Sequence, residues 1–159
     1  MIAVTYILHS EQWISRPIDE VFAFFADAHN LEEITPPWLG FSILSMSTAS
    51  IETGTIIHYR LRLYGIPFHW RTEICEWNAP HYFVDEQTKG PYAQWRHTHR
   101  FEAHGSRTKM IDDVQYSLPF GVLGRIVHAL KVRGDVNRIF DYRRLRIDAR
   151  FGQPGENAA

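Results

Sequence analysis

The 159-residue sequence contains a single cysteine, Cys75, which excludes an internal disulfide and any thiolate-rich zinc or iron–sulfur site. Charge of one sign is also missing. Lys plus Arg number 17 against 18 for Asp plus Glu, a formal net charge of −1, so nucleic acid is not an expected partner. No apolar run approaches the roughly 20 residues of a spanning helix. Met1 to Trp13 has no basic start and carries His9, Ser10 and Glu11 where a secretory leader needs its apolar stretch. A cytoplasmic protein without membrane contact is the expectation. Glycine-rich phosphate loops, a Ser–His–Asp spacing and zinc-finger spacings are absent as well, and nucleotide-driven chemistry is not expected. Repeats and internal linkers are lacking too. One domain over residues 1–152 is therefore expected, followed by a disordered tail over 153–159.

Aromatic residues are what the chain has in excess. Five Trp, seven Tyr and ten Phe make 14% of it, enough to line a pocket as well as fill a core. Residues 4–14 read as a strand. Arg16–Pro17 then opens a helix with Asp19 and Glu20 at its positive end and Ile18, Val21, Phe22 and Phe25 on one face. A second helical turn around Leu31–Ile34 stops at Pro36–Pro37. From Phe41 to Leu118, short β-rich segments punctuated by Gly54, Gly65, Asn78–Pro80, Lys89–Pro91 and Gly105 describe an antiparallel meander. From Phe120 to about Arg150 the apolar period lengthens through Leu123, Ile126, Val127, Leu130, Val136, Ile139 and Phe140, which predicts one long helix kinked at Gly134. Strands segregated from helices make this an α+β chain, with about seven strands curved around the C-terminal helix.

Turn positions predict which side chains share a face. A two-residue turn at Gly65–Ile66 pairs Leu63 with Phe68, Leu61 with Trp70, Tyr59 with Thr72 and Ile57 with Ile74, all on an inner face. A turn at Gly105–Ser106 pairs Phe101 with Met110, His99 with Asp112, His97 with Val114 and Trp95 with Tyr116. The inner face thus holds ionisable groups, and the opposite face, with Arg96, Thr98, Arg100 and Glu102, is more polar still. A three-residue Lys89–Gly90–Pro91 loop adds Phe83, Asp85 and Gln87 to the inner face. Cys75 falls outward with Glu73 and Trp77, with no adjacent base to make it a nucleophile.

Several strings carry a family resemblance over nearly the whole chain. They are Arg16–Pro17–Ile18–Asp19–Glu20–Val21–Phe22, Asn30–Leu31 through Thr35–Pro36–Pro37–Trp38, Phe83–Val84–Asp85–Glu86–Gln87, Trp95–Arg96–His97–Thr98–His99–Arg100–Phe101, Asp113 to Gly121, and Phe140–Asp141–Tyr142–Arg143. On these the sequence resembles the SRPBCC superfamily of START-like, polyketide cyclase-like domains, closest to its bacterial ligand-binding members. The resemblance implies the helix-grip fold and a hydrophobic cavity between sheet and helix for a small apolar or lipid-like molecule.

Tyr59, Leu61, Trp70, Asp85, Trp95, His97, His99, Phe101, Asp112 and Tyr116 are the expected ligand-binding residues. Three roles are open for His99 with Asp112: orienting a carbonyl or hydroxyl of the ligand, pairing with each other, or acting as the acid–base couple of a cyclase or dehydratase. An interaction module is a further alternative. His97–Thr98–His99 places two imidazoles on one side of a strand, with Asp112 or Asp85 as a third donor. That spacing arises easily by chance among nine His, and neither a metal nor another cofactor is expected. The helix from Arg125 to Arg150 carries a cationic excess that attracts an acidic surface or simply faces solvent, the second being the expected case. The sequence sets no oligomeric state.

Overall fold

A computed structural model describes residues 4–152. The expected tail over 153–159 lies outside the described residues. Seven strands form one antiparallel sheet: β1 (Tyr6–Ile14), β2 (Ser42–Met46), β3 (Ile56–Leu63), β4 (Ile66–Asn78), β5 (Tyr82–Lys89), β6 (Gln94–His104) and β7 (Arg107–Ser117). Their spatial order is β1-β7-β6-β5-β4-β3-β2, so only the β1 to β7 pairing departs from a sequential meander. Helices α1 (Ile18–Phe25) and α2 (Asn30–Ile34) and a 3-10 turn (Pro37–Leu39) link β1 to β2. The C-terminal helix begins as α3 (Gly121–Val127), widens to a π-helical turn (His128–Val132) and continues as α4 (Arg133–Phe151). This is the helix-grip arrangement, a curved sheet around a long helix.

Proline and charge place α1 as the sequence predicts. Pro17 supplies its extended cap residue, Asp19 and Glu20 occupy its first turn, and Val21, Phe22, Phe24 and Phe25 are buried. Those rings meet Ile14, Phe83, Phe101, Met110, Ile147 and Phe151 in the larger apolar cluster. At the other edge, Gln12 of β1 donates to the Arg144 carbonyl at 3.0 Å and to the Asp148 carboxylate at 2.8 Å. Arg144 returns a bond to the Glu11 carbonyl at 2.7 Å, which ties the helix to the sheet edge.

Three local readings are corrected. The β3–β4 turn is Tyr64–Gly65, with φ of 53° and 78°, as a type I′ turn requires positive φ at both central residues. Leu61 consequently faces Phe68 and Tyr59 faces Trp70, two residues from the expected register. A slip of two preserves side-chain parity, so Ile57, Tyr59 and Leu61 still point inward. The β5–β6 register is likewise shifted by two, with the loop at 90–93, and Asp85 pairs with His97 and Phe83 with His99. Lastly, a bulge between Ile74 and Glu76 resets the parity of β4. Trp77 thereby turns inward against Phe22 and Phe83, with ring centroids 5.1 and 5.3 Å away. Cys75 stays outside, 3.5 Å from Arg96.

The helix departs most from its expected face. A wider π turn lets His128, Val132 and Val136 stack toward the sheet, and Leu123, Ile126, Val127 and Leu130 then point outward at 46–82% exposure. The irregularity is this turn and not Gly134. Gly124 is the buried contact of α3: a Cβ there would meet the Pro119 carbonyl oxygen at 2.2 Å. Helix propensity favours alanine over glycine by about 0.8–1 kcal/mol, yet backbone cannot move aside as a side chain can, and overpacking costs about 1–3 kcal/mol. Gly124→Ala is therefore expected to lower the Tm. An unchanged or higher Tm would show that the start of α3 shifts freely.

Candidate functional site

A cavity of about 200 Å³ lies between the sheet and the C-terminal helix. It is smaller than the 300–1,000 Å³ usual for ligand pockets, because bulky side chains such as Trp70, Trp95, Tyr92 and Phe140 project into it. A groove of about 650 Å³ adjoins it, lined by Trp38, Tyr64, Phe120, Leu123 and Val127 among others. Cavity and groove share Leu39, Leu63, Tyr92 and Ile139, which places the groove at the mouth of the cavity. Across that mouth the Tyr64 hydroxyl donates to Asp135 of α4.

Of the residues expected from sequence, Tyr59, Leu61, Trp70, Asp85, Trp95, His97 and His99 line the cavity. Phe101, Asp112 and Tyr116 do not. Phe101 is 2% exposed within the cluster under α1, and the Tyr116 hydroxyl pairs with His128 Nε2 at 2.9 Å. Asp112 stands behind the two imidazoles. Sequence reasoning missed the helix side of the wall, chiefly Phe140 and Arg143.

The polar wall (Asp85, His97, His99 and Arg143) and the Asp112 behind it form a network of five side chains. β6 and β7 align as predicted, with His99 opposite Asp112 and His97 opposite Val114. The shortest contacts nevertheless cross this register. His97 Nε2 lies 2.8 Å from Asp112 Oδ1, and His99 Nε2 lies 2.8 Å from Asp85 Oδ2. His99 Nδ1 is 3.1 Å from Asp112 Oδ1 and 3.3 Å from Arg143 Nη2. Arg143 Nη2 in turn lies 3.6 Å from Asp112. Phe83 stacks on His99 at 4.1 Å, and Arg143 sits over the rings of Phe25 and Phe140, so apolar groups enclose the network.

Burial and charge act against each other here. Burial alone would raise the Asp112 carboxyl, but the Arg143 guanidinium and the two imidazoles hold it well below the usual carboxylate range. Asp85 is lowered, against its burial, by the His99 hydrogen bond. Burial together with the neighbouring His99 charge lowers His97. His99 is raised in spite of burial, because Asp112 and Asp85 both favour its cation. The donor atoms of Asp85, His97 and His99 lie within 4.8 Å of one another, close enough to share one ion.

Solved structures of similar shape include the Zhui aromatase/cyclase from Streptomyces sp. R1128, at TM-score 0.73 and 12% identity, covering 92% of this chain and 93% of that one. A START superfamily protein from Mycobacterium smegmatis matches at TM-score 0.65 and 12% identity, covering 90% of this chain and 97% of the other. The ginseng major latex-like protein 151 from Panax ginseng matches at 0.68 and 12%, covering 92% and 97%. At these identities the likeness is one of fold. No curated protein matches the sequence. A family profile does, over residues 14–138, and on that match the chain belongs to the family described as polyketide cyclase / dehydrase and lipid transport.

Proposed function

We propose that the chain binds a small, mostly apolar molecule in the cavity and that the polar wall orients one carbonyl or hydroxyl oxygen of it. The observation that carries this reading is the cavity's composition. Tyr59, Leu61, Trp70 and Phe140 supply apolar surface, while Asp85, His97, His99 and Arg143 form a polar wall on the β5, β6 and α4 side. Solved structures of similar fold include an aromatase/cyclase and a START superfamily protein, so the architecture by itself does not choose between binding and turnover. The enzymatic reading with His99 and Asp112 as the acid–base couple has less support, since Asp112 does not line the cavity.

Trp70 and Trp95 line the cavity and report its occupancy. Titrating the protein with decanoate and with 2-naphthol is expected to change tryptophan emission saturably for at least one of them. Ile139 stands where cavity and groove meet and is only half-buried, so Ile139→Trp should narrow the entrance without unfolding the chain. The variant is expected to bind the same probe at least about tenfold more weakly, about 1.4 kcal/mol. Unchanged emission up to the solubility limit of both probes would overturn the reading, as would an Ile139→Trp protein of undiminished affinity.

A further inference from the structure

We propose that Asp85, His97 and His99 form a site for a divalent first-row transition ion of the Zn²⁺ type, held at the polar wall with one face open to the cavity. The spacing of the donors fits such an ion. Bonds of about 2.0–2.2 Å put neighbouring donors about 2.9–3.5 Å apart. Asp85 Oδ2 and His99 Nε2 are 2.8 Å apart, and His97 Nδ1 is 3.9 Å from the same oxygen. The Asp85–His99 pair is already at that spacing, and the three donors together, all within 4.8 Å of one another, reach it by side-chain rotation of His97 toward the other two.

The hydrogen bonding of His97 supplies the second argument. A carboxylate only accepts, so His97 Nε2 carries the hydrogen in its 2.8 Å contact with Asp112. In the neutral ring Nδ1 is then a bare lone pair, and among the described residues it has no hydrogen-bond partner. It faces the Asp85 Oδ2 that also accepts from His99 Nε2, so an ion entering here takes the place of the His99 hydrogen and gains the His97 lone pair. Asp112 also lies 3.1 Å from His99 Nδ1, behind the ring edge whose Nε2 faces Asp85. A carboxylate behind each imidazole is the outer arrangement that fixes ring orientation in metal sites.

Donor type agrees with this, and the cluster can absorb the charge. Asp85 and Asp112 bring two negative charges to a buried cluster whose fixed cation is Arg143 alone, leaving one negative charge to be balanced. In the metal-free chain a proton shared by the network balances it, and a divalent ion that displaces that proton leaves the cluster at +1, which favours an anionic oxygen in the open coordination position. Two imidazoles and one carboxylate suit zinc, cobalt, nickel or iron, whereas magnesium and calcium prefer oxygen donors. Three protein ligands leave a coordination position for an oxygen atom in the cavity. The ion does not depend on an apolar molecule being the cavity's occupant, so metal and ligand are tested separately.

The full chain, stripped with EDTA and freed of chelator, is to be titrated with Co²⁺ and then with Zn²⁺. The expected result is one equivalent of Co²⁺ with d–d absorption bands, displacement of those bands by Zn²⁺, and a higher Tm with either ion but not with Mg²⁺. Asp85→Asn is expected to weaken Co²⁺ binding, and Asp112→Asn to weaken it by about 10–100-fold without removing a ligand. His9→Gln, on the exposed face of β1, should leave binding unchanged. Two outcomes would overturn the site. One is a wild-type protein that shows no d–d bands and no Tm shift at about 1 mM Co²⁺; the other is binding that survives Asp85→Asn but is lost with His9→Gln. The wild-type spectrum decides the matter even if a cluster variant fails to fold.

Discussion

Arg143→Ala is expected to destabilise the protein by about 3–5 kcal/mol, the usual cost of removing one partner from a buried ionic cluster. Arg143 is 8% exposed and its guanidinium lies 3.6 Å from Asp112 and 3.3 Å from His99. Its removal leaves the buried Asp112 and the half-buried Asp85 facing two imidazoles with no fixed positive charge, and it also empties space against Phe25 and Phe140. Chemical denaturation of wild type and variant measures the difference. A companion variant separates charge from packing: Arg143→Met keeps most of the volume, and with Asp112→Asn in the same chain it should recover part of the loss, since the mismatch of charge is relieved. A loss below about 1 kcal/mol for Arg143→Ala would mean that the residue behaves as a solvated helix cation. That outcome is what the sequence reading of the basic helix expects.

Arg143 differs from the other cations of the helix in where it points. Charge counting along the helix treats all cations as one face, yet Val136, Phe140, Arg143, Ile147 and Phe151 are the buried positions of α4. They recur at helical spacing, so the signal was in the chain: an arginine on the apolar stripe needs a buried anion, and Asp112 was already assigned to the inner face. Two features had no comparable signal. The π turn at His128–Val132 depends on how the helix meets the sheet, and without it the run from Leu123 to Leu130 reads as the buried face. The bulge at Cys75 is equally silent, because one extra residue in a long strand leaves composition unchanged.

Most of the fold was legible for a different reason. Strand parity survives a register error of two, so the wrong turn at Gly65–Ile66 and the short loop at Lys89–Pro91 still sent Tyr59, Leu61, Phe83 and Asp85 inward. The turn lies at Gly105–Ser106, as the sequence predicts, and it fixes His97, His99 and Asp112 on one face. What parity cannot supply is the third dimension. Inner-face residues divide between the cavity and the solid core according to which helix lies over them, and α1 covers the end of the sheet that carries Phe101 and Met110.

Phe101 tests that division. The sequence places it among ligand-binding residues, while the structure packs it at 5.3 Å from Phe25 and 5.4 Å from Phe22, with 2% of its surface exposed. Phe101→Ala is expected to cost about 3–5 kcal/mol, combining the lost transfer energy with a void that aromatic neighbours on two elements fill poorly. Phe101→Leu keeps most of the volume and should cost less than about 1.5 kcal/mol. Phe101 backs Phe25 and Phe83 of the wall without lining the cavity itself, so probe affinity measured on the folded Phe101→Leu protein should stay within about twofold of wild type, under 0.5 kcal/mol. A Phe101→Leu protein of wild-type stability that binds the same probe about tenfold more weakly would reverse the assignment. It would place Phe101 at the ligand and extend the cavity beneath α1.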